Sequence, residues 1–133
     1  MAELREKRIE ALRNRYKFLR SSSIQGVMME LKFECGNGWM PILENLFLKM
    51  DEEVEKSNLT GCKVVRIREK FGDLMVSVNS GNDAIDALIR AASKEAAETC
   101  EDCGKQGKKR EFNEWFRTQC PKCYAVQPAS VRV

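Results

Sequence analysis

The sequence contains no histidine among its 133 residues. Without an imidazole, the chain cannot build a Ser-His-Asp or Cys-His catalytic group or a histidine-ligated metal site, so most familiar hydrolase mechanisms are excluded. Long apolar runs are also missing, because no stretch approaches the ~20 residues that a membrane-spanning helix needs. The first residues are charged and do not resemble a secretory signal. We therefore expect a soluble protein of the cytosol with no membrane association.

The charge of the chain gives only weak support for nucleic-acid binding. Lys and Arg total 23 and Asp and Glu total 20, which leaves a net charge of +3. A dedicated DNA-binding domain carries a much larger basic excess. With 43% hydrophobic and 32% charged residues, the composition is that of one globular domain, alone or with a small addition.

The clearest pattern in the sequence is the spacing of four of its six cysteines. They form two Cys-x2-Cys pairs separated by sixteen residues and are Cys100, Cys103, Cys120 and Cys123. This spacing is typical of a four-cysteine zinc site, in which each pair turns tightly around the metal. Gly104 and Pro121 suit the two turns. We predict one structural Zn²⁺ with a closed shell; an iron–sulfur site is the alternative that uses the same ligands.

The periodicity of the apolar residues predicts an α+β fold, with a small helix and β-hairpin body followed by a C-terminal zinc ribbon. The predicted segments are a basic amphipathic helix in 1–23, an α+β body in 24–98 with a hairpin in 62–79 and a helix in 83–98, a zinc ribbon in 99–124 and a flexible tail in 125–133. The first helix is expected over 3–20, with Ile9, Leu12, Tyr16 and Leu19 on its apolar face. Residues 24–34 fit either a short helix or a strand.

Three local signals define the middle of the chain. Pro41 suits the first turn of a helix that runs to about Glu55. Alternation in the first hairpin strand places Val65 and Ile67 on the inner face and Arg66 and Arg68 on the outer face. Ser80 and Asp83 form a capping-box-like signal that predicts the start of the next helix.

Four short stretches resemble a group of small phage and prophage proteins that end in a zinc-binding module. The stretches are Phe33–Trp39, Glu69–Gly72 with Leu74, Thr99–Gly104 and Trp115–Cys120. The resemblance spans about residues 30–123 and implies a viral origin and a zinc site, but no particular reaction. In similar proteins the last ligand can be histidine, and Cys123 takes that place here. Small phage proteins of this size often bind and block host machinery.

Two binding functions follow from these observations. The first is a non-enzymatic protein that binds and modulates a host protein complex, in the manner of an anti-CRISPR or anti-restriction inhibitor of host defence. Aromatic and Arg side chains dominate protein interfaces, which makes Trp39 and Phe116 further candidates for contact, although burial in the core is the favoured interpretation of both. The second is a zinc-ribbon protein that binds nucleic acid through basic residues interleaved with aromatics. The predicted partner-binding residues are Trp115, Arg117, Lys108, Lys109, Arg110, Arg66 and Arg68.

Enzymatic activity is the third interpretation, and it receives the least support. Cys35 lies in a Cys-Gly-Asn-Gly stretch and could be an exposed nucleophile, but it has no histidine to activate it. A small buried residue at a tight turn is the favoured interpretation of Cys35, and Cys62 is interpreted as a strand residue. The amphipathic first helix could also pair with a second copy of the chain.

Overall fold

The computed structural model describes residues 2–20, 22–24, 27–29, 31–112 and 115–125. Within these residues the chain has an α+β fold of four α-helices and three small sheets. The helices are α1 Ala2–Arg15, α2 Met40–Lys56, α3 Asp83–Ala96 and α4 Pro121–Ala125. The strands are β1 Ser22–Ile24, β2 Val27–Met29, β3 Phe33–Glu34, β4 Lys63–Lys70, β5 Asp73–Asn79, β6 Lys108–Phe112 and β7 Trp115–Gln119. None of the described helices has the length and apolar character needed to cross a membrane.

The largest sheet has the strand order β3-β4-β5. β3 runs parallel to β4, and β4 pairs with β5 as an antiparallel hairpin. The hairpin turn consists of Phe71 and Gly72, whose φ angles are 52° and 83°. Positive φ at both positions is characteristic of the tight two-residue turns that match the twist of the flanking strands. The predicted hairpin is confirmed.

The predicted inner face of β4 is wrong at one position. The register shifts between Val64 and Arg66, so Val65 is the extra residue of a β-bulge. A bulge leaves its extra residue out of the alternation. Val64 and Ile67 are buried, whereas Val65 is exposed. Arg66 pairs in register with Ser77 on the outer face, as predicted.

The first helix is shorter than predicted. α1 ends at Arg15, Tyr16 is extended, and Lys17–Leu19 forms a single 3-10 turn. This break lets Tyr16, Phe18 and Leu19 all enter the core. There the Tyr16 and Phe18 rings stack with their centroids 5.3 Å apart. The predicted apolar stripe of the helix is buried within the same chain. We therefore do not propose that two chains pair through it.

The helix α2 begins one residue before the predicted Pro41 and ends close to the predicted Glu55. The helix α3 begins where the pattern placed it, but its N-cap is Asn82 and not Ser80. The Asn82 Oδ1 accepts the backbone N–H of Ile85 at 2.9 Å, while Ser80 has a left-handed φ of 58° and precedes the cap by two residues. Both helices contribute buried side chains to the apolar core that also contains residues of β4 and β5.

The C-terminal part of the chain begins directly after α3. The β6-β7 hairpin and α4 follow there, and the backbone N–H of Gly107 donates to the carbonyl of Glu98 at the end of α3. The ambiguous stretch 24–34 contains strand segments in its described residues. Of the predicted tail in 125–133, Ala125 ends α4, and the remainder lies outside the described residues.

Candidate metal centre

The four cysteines predicted as ligands converge on one point. Their Sγ atoms all lie within 4.8 Å of one another, and those of Cys103 and Cys120 are 3.6 Å apart. Four sulfurs at the ~2.3 Å bond length of a tetrahedral zinc site are separated from one another by about 3.8 Å. All six cysteines of the chain are free thiols. The donor set and its spacing therefore fit one metal ion.

The first pair lies on a compact turn closed by backbone hydrogen bonds. The N–H of Gly104 donates to the carbonyl of Cys100 at 2.9 Å, and the N–H of Cys100 donates to that of Lys105 at 2.7 Å. Gly104 has a φ of 85°, the left-handed conformation that glycine adopts without strain. This turn aims the side chains of Cys100 and Cys103 toward the same point.

The second pair flanks the start of α4. Pro121 occupies the first helical position, where its missing N–H leaves no hydrogen bond unmade. The backbone N–H of Cys123 donates to Sγ of Cys120 at 3.4 Å. That hydrogen bond lowers the pKa of the Cys120 thiol to about 6 and favours its thiolate. Burial raises the pKa of Cys123, so a cation among the sulfurs is what would stabilise the remaining thiolates.

The cysteine module, residues 99–124, is fixed to the body by the stretch Cys35–Trp39. The N–H of Gly38 donates to the carbonyl of Glu101 at 2.7 Å, and the N–H of Gly36 donates to its Oε2 at 2.8 Å. A Cβ at Gly38 would collide with the carbonyl oxygens of Cys100 and Glu101. Only glycine allows this approach, which explains the two glycines of the motif.

Trp39 completes this docking contact and is fully buried. Its indole N–H donates to the carbonyl of Thr99 at 2.9 Å. Trp39 therefore holds the module against the body, which confirms the core interpretation favoured for it from the sequence and excludes the alternative of a partner contact. Cys35 is half-buried, and burial together with the nearby Glu101 carboxylate raises its pKa to about 12. Such a thiol is a poor nucleophile at neutral pH.

The β4-β5 turn forms a second docking contact with the module. The Thr118 hydroxyl donates to the carbonyl of Gly72 at 2.7 Å, and Lys109 forms an ion pair with Asp73 at 2.9 Å. The rings of Phe71 and Phe116 meet edge to face with centroids 6.4 Å apart. The four sequence stretches that carry the phage resemblance therefore meet where module and body join.

A buried carboxylate between two of the cysteines was missed by the sequence analysis. Glu101 is nine-tenths buried or more, and burial raises its pKa. Its Oε1 lies 3.5 Å from Nη2 of Arg117, and the same nitrogen donates to Oδ1 of Asp102 at 2.7 Å. Asp102 in turn accepts the side-chain amide of Gln119 at 2.6 Å. An acidic residue within a Cys-x2-Cys pair was the only signal for this network in the sequence.

Most of the predicted partner-binding residues in the module make internal contacts. Arg117 and Lys109 are in the ion pairs just described, and Arg110 donates to the Gln119 carbonyl at 3.1 Å and lies over the Tyr124 ring. Lys108 and Arg66 are exposed, and Arg68 is half-buried. The Trp115 side chain lies outside what the structure describes.

A scan of protein-family models and searches of curated proteins and solved structures found no match for this chain. The site itself is therefore the basis for assigning a function.

Proposed function

We propose that this chain is a non-enzymatic binding protein whose C-terminal module is held by one structural Zn²⁺. The approach of four Sγ atoms to within 4.8 Å of one another carries the proposal. Four thiolates at this spacing suit a single soft ion such as Zn²⁺. An iron–sulfur cluster is a weaker fit, because several iron atoms must lie between the sulfurs and would hold them further apart.

The same geometry argues for a structural role of the metal. Catalytic zinc keeps one position open for water, whereas four thiolates fill the tetrahedron and leave no place for a substrate. The module spans only residues 99–124, and among its described side chains only Cys100 and Cys120 are buried apolar groups, so metal binding supplies folding free energy that its small core does not.

A protein partner is favoured over nucleic acid by the state of the basic side chains. Lys109 and Arg117 are paired with carboxylates, which reduces the positive charge that the module offers to phosphates, and Arg110 is held by the Gln119 carbonyl. The resemblance to phage proteins leads us to propose a host protein complex, and inhibition of host defence, as the biological role.

The metal assignment is tested by elemental analysis of the purified protein. We expect one zinc per chain and no stoichiometric iron. Cys103→Ser should lose the zinc, whereas Cys35→Ser, which changes a cysteine outside the cluster, should keep it. Stoichiometric iron, or equal zinc loss in both variants, would contradict the proposal.

The partner class is tested by capture from a bacterial extract on the immobilised full-length chain, with and without nuclease. Protein partners that survive nuclease treatment support the proposal. If every partner is lost with the nuclease, the nucleic-acid alternative replaces it. Nucleic-acid contacts would also weaken steeply with added salt.

A further inference from the structure

The solvent exposure and the backbone conformation of Phe71 are not explained by the needs of folding alone. It is 64% exposed, the highest value among the large apolar side chains in the described part of the chain. Its φ of 52° is left-handed, a conformation that is unfavourable for a bulky residue and that Asn or Gly normally adopts in this turn. An exposed, strained aromatic residue is costly for stability, and such residues cluster at functional sites.

The turn that presents Phe71 is held from both sides. Within the hairpin, Oε2 of Glu69 accepts the N–H of Gly72 at 2.6 Å. From the cysteine module, Thr118 donates to the carbonyl of Gly72 at 2.7 Å. Phe116 contacts one edge of the Phe71 ring, and most of that side chain stays in solvent. The docked module therefore presents Phe71 in one fixed orientation.

Three cations lie beside Phe71 on the outer face of the hairpin. They are Arg66, Arg68 and Lys70, at alternate positions of β4, and the exposed Met75 lies opposite Arg68. Together with Phe71, these side chains define the β4-β5 surface. Its residues are Arg66, Arg68, Lys70, Phe71 and Met75. Among the described residues, no ion pair involves any of these three cations.

The carboxylates of the same face do not cancel this charge. Asp73 is already paired with Lys109, and Glu34 lies beside Arg68 in the register of β3 and β4 without a described ion pair to it, so it offsets at most one of the three cations. The β4-β5 surface thus joins a positive stripe to an exposed apolar end. Arg, Phe and Met are the residue types enriched in protein interfaces.

We propose that the β4-β5 surface binds an extended acidic segment of a partner protein, an inference that rests on the proposed binding function. Alternate residues of an extended chain repeat at about 6.7 Å, so acidic side chains at every second position match the spacing of the cations on β4. Apolar residues that follow them would contact Phe71 and Met75. The neighbouring Lys109 is already paired with Asp73, which leaves only three cations for a phosphate backbone, and an oligonucleotide is therefore the competing probe in the test.

The test uses a fluorescein-labelled dodecapeptide that contains Asp-Ser-Asp-Ser-Asp-Leu-Leu, titrated with the zinc-loaded full chain. The matched probes are the same peptide with Asn in place of Asp and a labelled dodecathymidylate. We expect saturable binding of the acidic peptide and at least tenfold weaker binding of both other probes. Absence of binding by the acidic peptide at ~1 mM protein, or tighter binding of the oligonucleotide, overturns the proposal.

Variants locate the binding to this surface. Arg66→Glu with Arg68→Glu, and separately Phe71→Asn, should each weaken peptide binding at least tenfold while the chain keeps its zinc. Phe71→Asn installs the residue that this turn prefers, and an unchanged zinc content and thermal midpoint of this variant show that a loss of binding does not come from unfolding. The matched control, Arg90→Glu with Lys94→Glu, makes the same charge change on exposed residues of α3 and should leave binding unchanged. Equal weakening by the control overturns the assignment.

Failure of this inference is distinguishable from failure of the proposed function. If the variants of the β4-β5 surface still capture the nuclease-resistant partners of the wild-type chain, the surface is wrongly assigned and the binding function stands. If the wild-type chain captures no such partner and holds no zinc, the proposed function itself fails.

Discussion

At the scale of single residues, glycines and one tryptophan bring the cysteine module against the body. Gly36 and Gly38 donate backbone N–H groups to Glu101, and Trp39 donates its indole N–H to Thr99. The Trp39 indole and the Gly36 N–H make part-buried hydrogen bonds, and the loss of either acceptor would leave a polar group unsatisfied. The stretch that could have held a nucleophilic cysteine is thus a docking loop.

Gly38→Ala should destabilise the zinc-loaded protein by about 2 kcal/mol or more, since the added Cβ meets backbone oxygens that cannot rotate away. Chemical denaturation measures the change. Gly81→Ala is the control: its Cβ would meet only side-chain atoms of Val78 and Ile85, and it should cost less than about 1 kcal/mol. Similar costs for both variants would argue against the close approach at Gly38.

The Cys35 thiol should resist alkylation in the native protein. Its pKa is raised from 9.0 to about 12, so at pH 8 its thiolate fraction is about a thousandfold below that of an ordinary cysteine. Iodoacetamide labelling followed by peptide mass spectrometry should show Cys35 unmodified until guanidinium is added. Labelling as fast as in the unfolded chain would show that the thiol is accessible and ionised.

At the scale of elements, the sequence predicted α2, α3 and the β4-β5 hairpin because their apolar periodicity is strong, whereas it did not predict α4. It failed where the deciding contact is distant in sequence. The break after Arg15 depends on burying Tyr16 and Phe18 together, and the bulge at Val65 depends on pairing with β5. The cysteine spacing predicted the cluster, whereas Glu101 and the docking loop could not be linked before the fold brought them together.

The start of α3 offers a direct test of one such correction. Asn82→Ala should lower the free energy of unfolding by about 1 kcal/mol, because it removes the acceptor of the Ile85 N–H. Ser80→Ala should change it by less than about 0.5 kcal/mol. Urea denaturation of both variants measures the two changes in the free energy of unfolding. A larger loss for Ser80→Ala would show that Ser80 caps the helix, as the sequence suggested.

At the scale of the whole molecule, the cysteine module packs against the body on two sides. The module contacts the Cys35–Trp39 loop on one side and the Phe71–Gly72 turn on the other. A change at the cysteines should therefore alter the structure around Trp39 and at the β4-β5 surface, although neither includes a candidate metal ligand. The apolar core formed by α1, α2, α3 and the central sheet includes no cysteine of the cluster.

Metal removal should consequently loosen the docking contact while leaving most helices folded. The sequence has two tryptophans, so Trp115→Phe makes Trp39 the sole indole reporter. Stripping the metal with a strong chelator should shift Trp39 emission to longer wavelength and lower the thermal midpoint by about 10 °C or more, as expected when a tightly bound ligand is lost. Far-UV circular dichroism should retain most of its helical signal, because α2 and α3 pack on the sheet without the metal. If Trp39 emission stays unchanged once elemental analysis shows that the metal is gone, module and body are independent, and the metal does not control the presentation of Phe71.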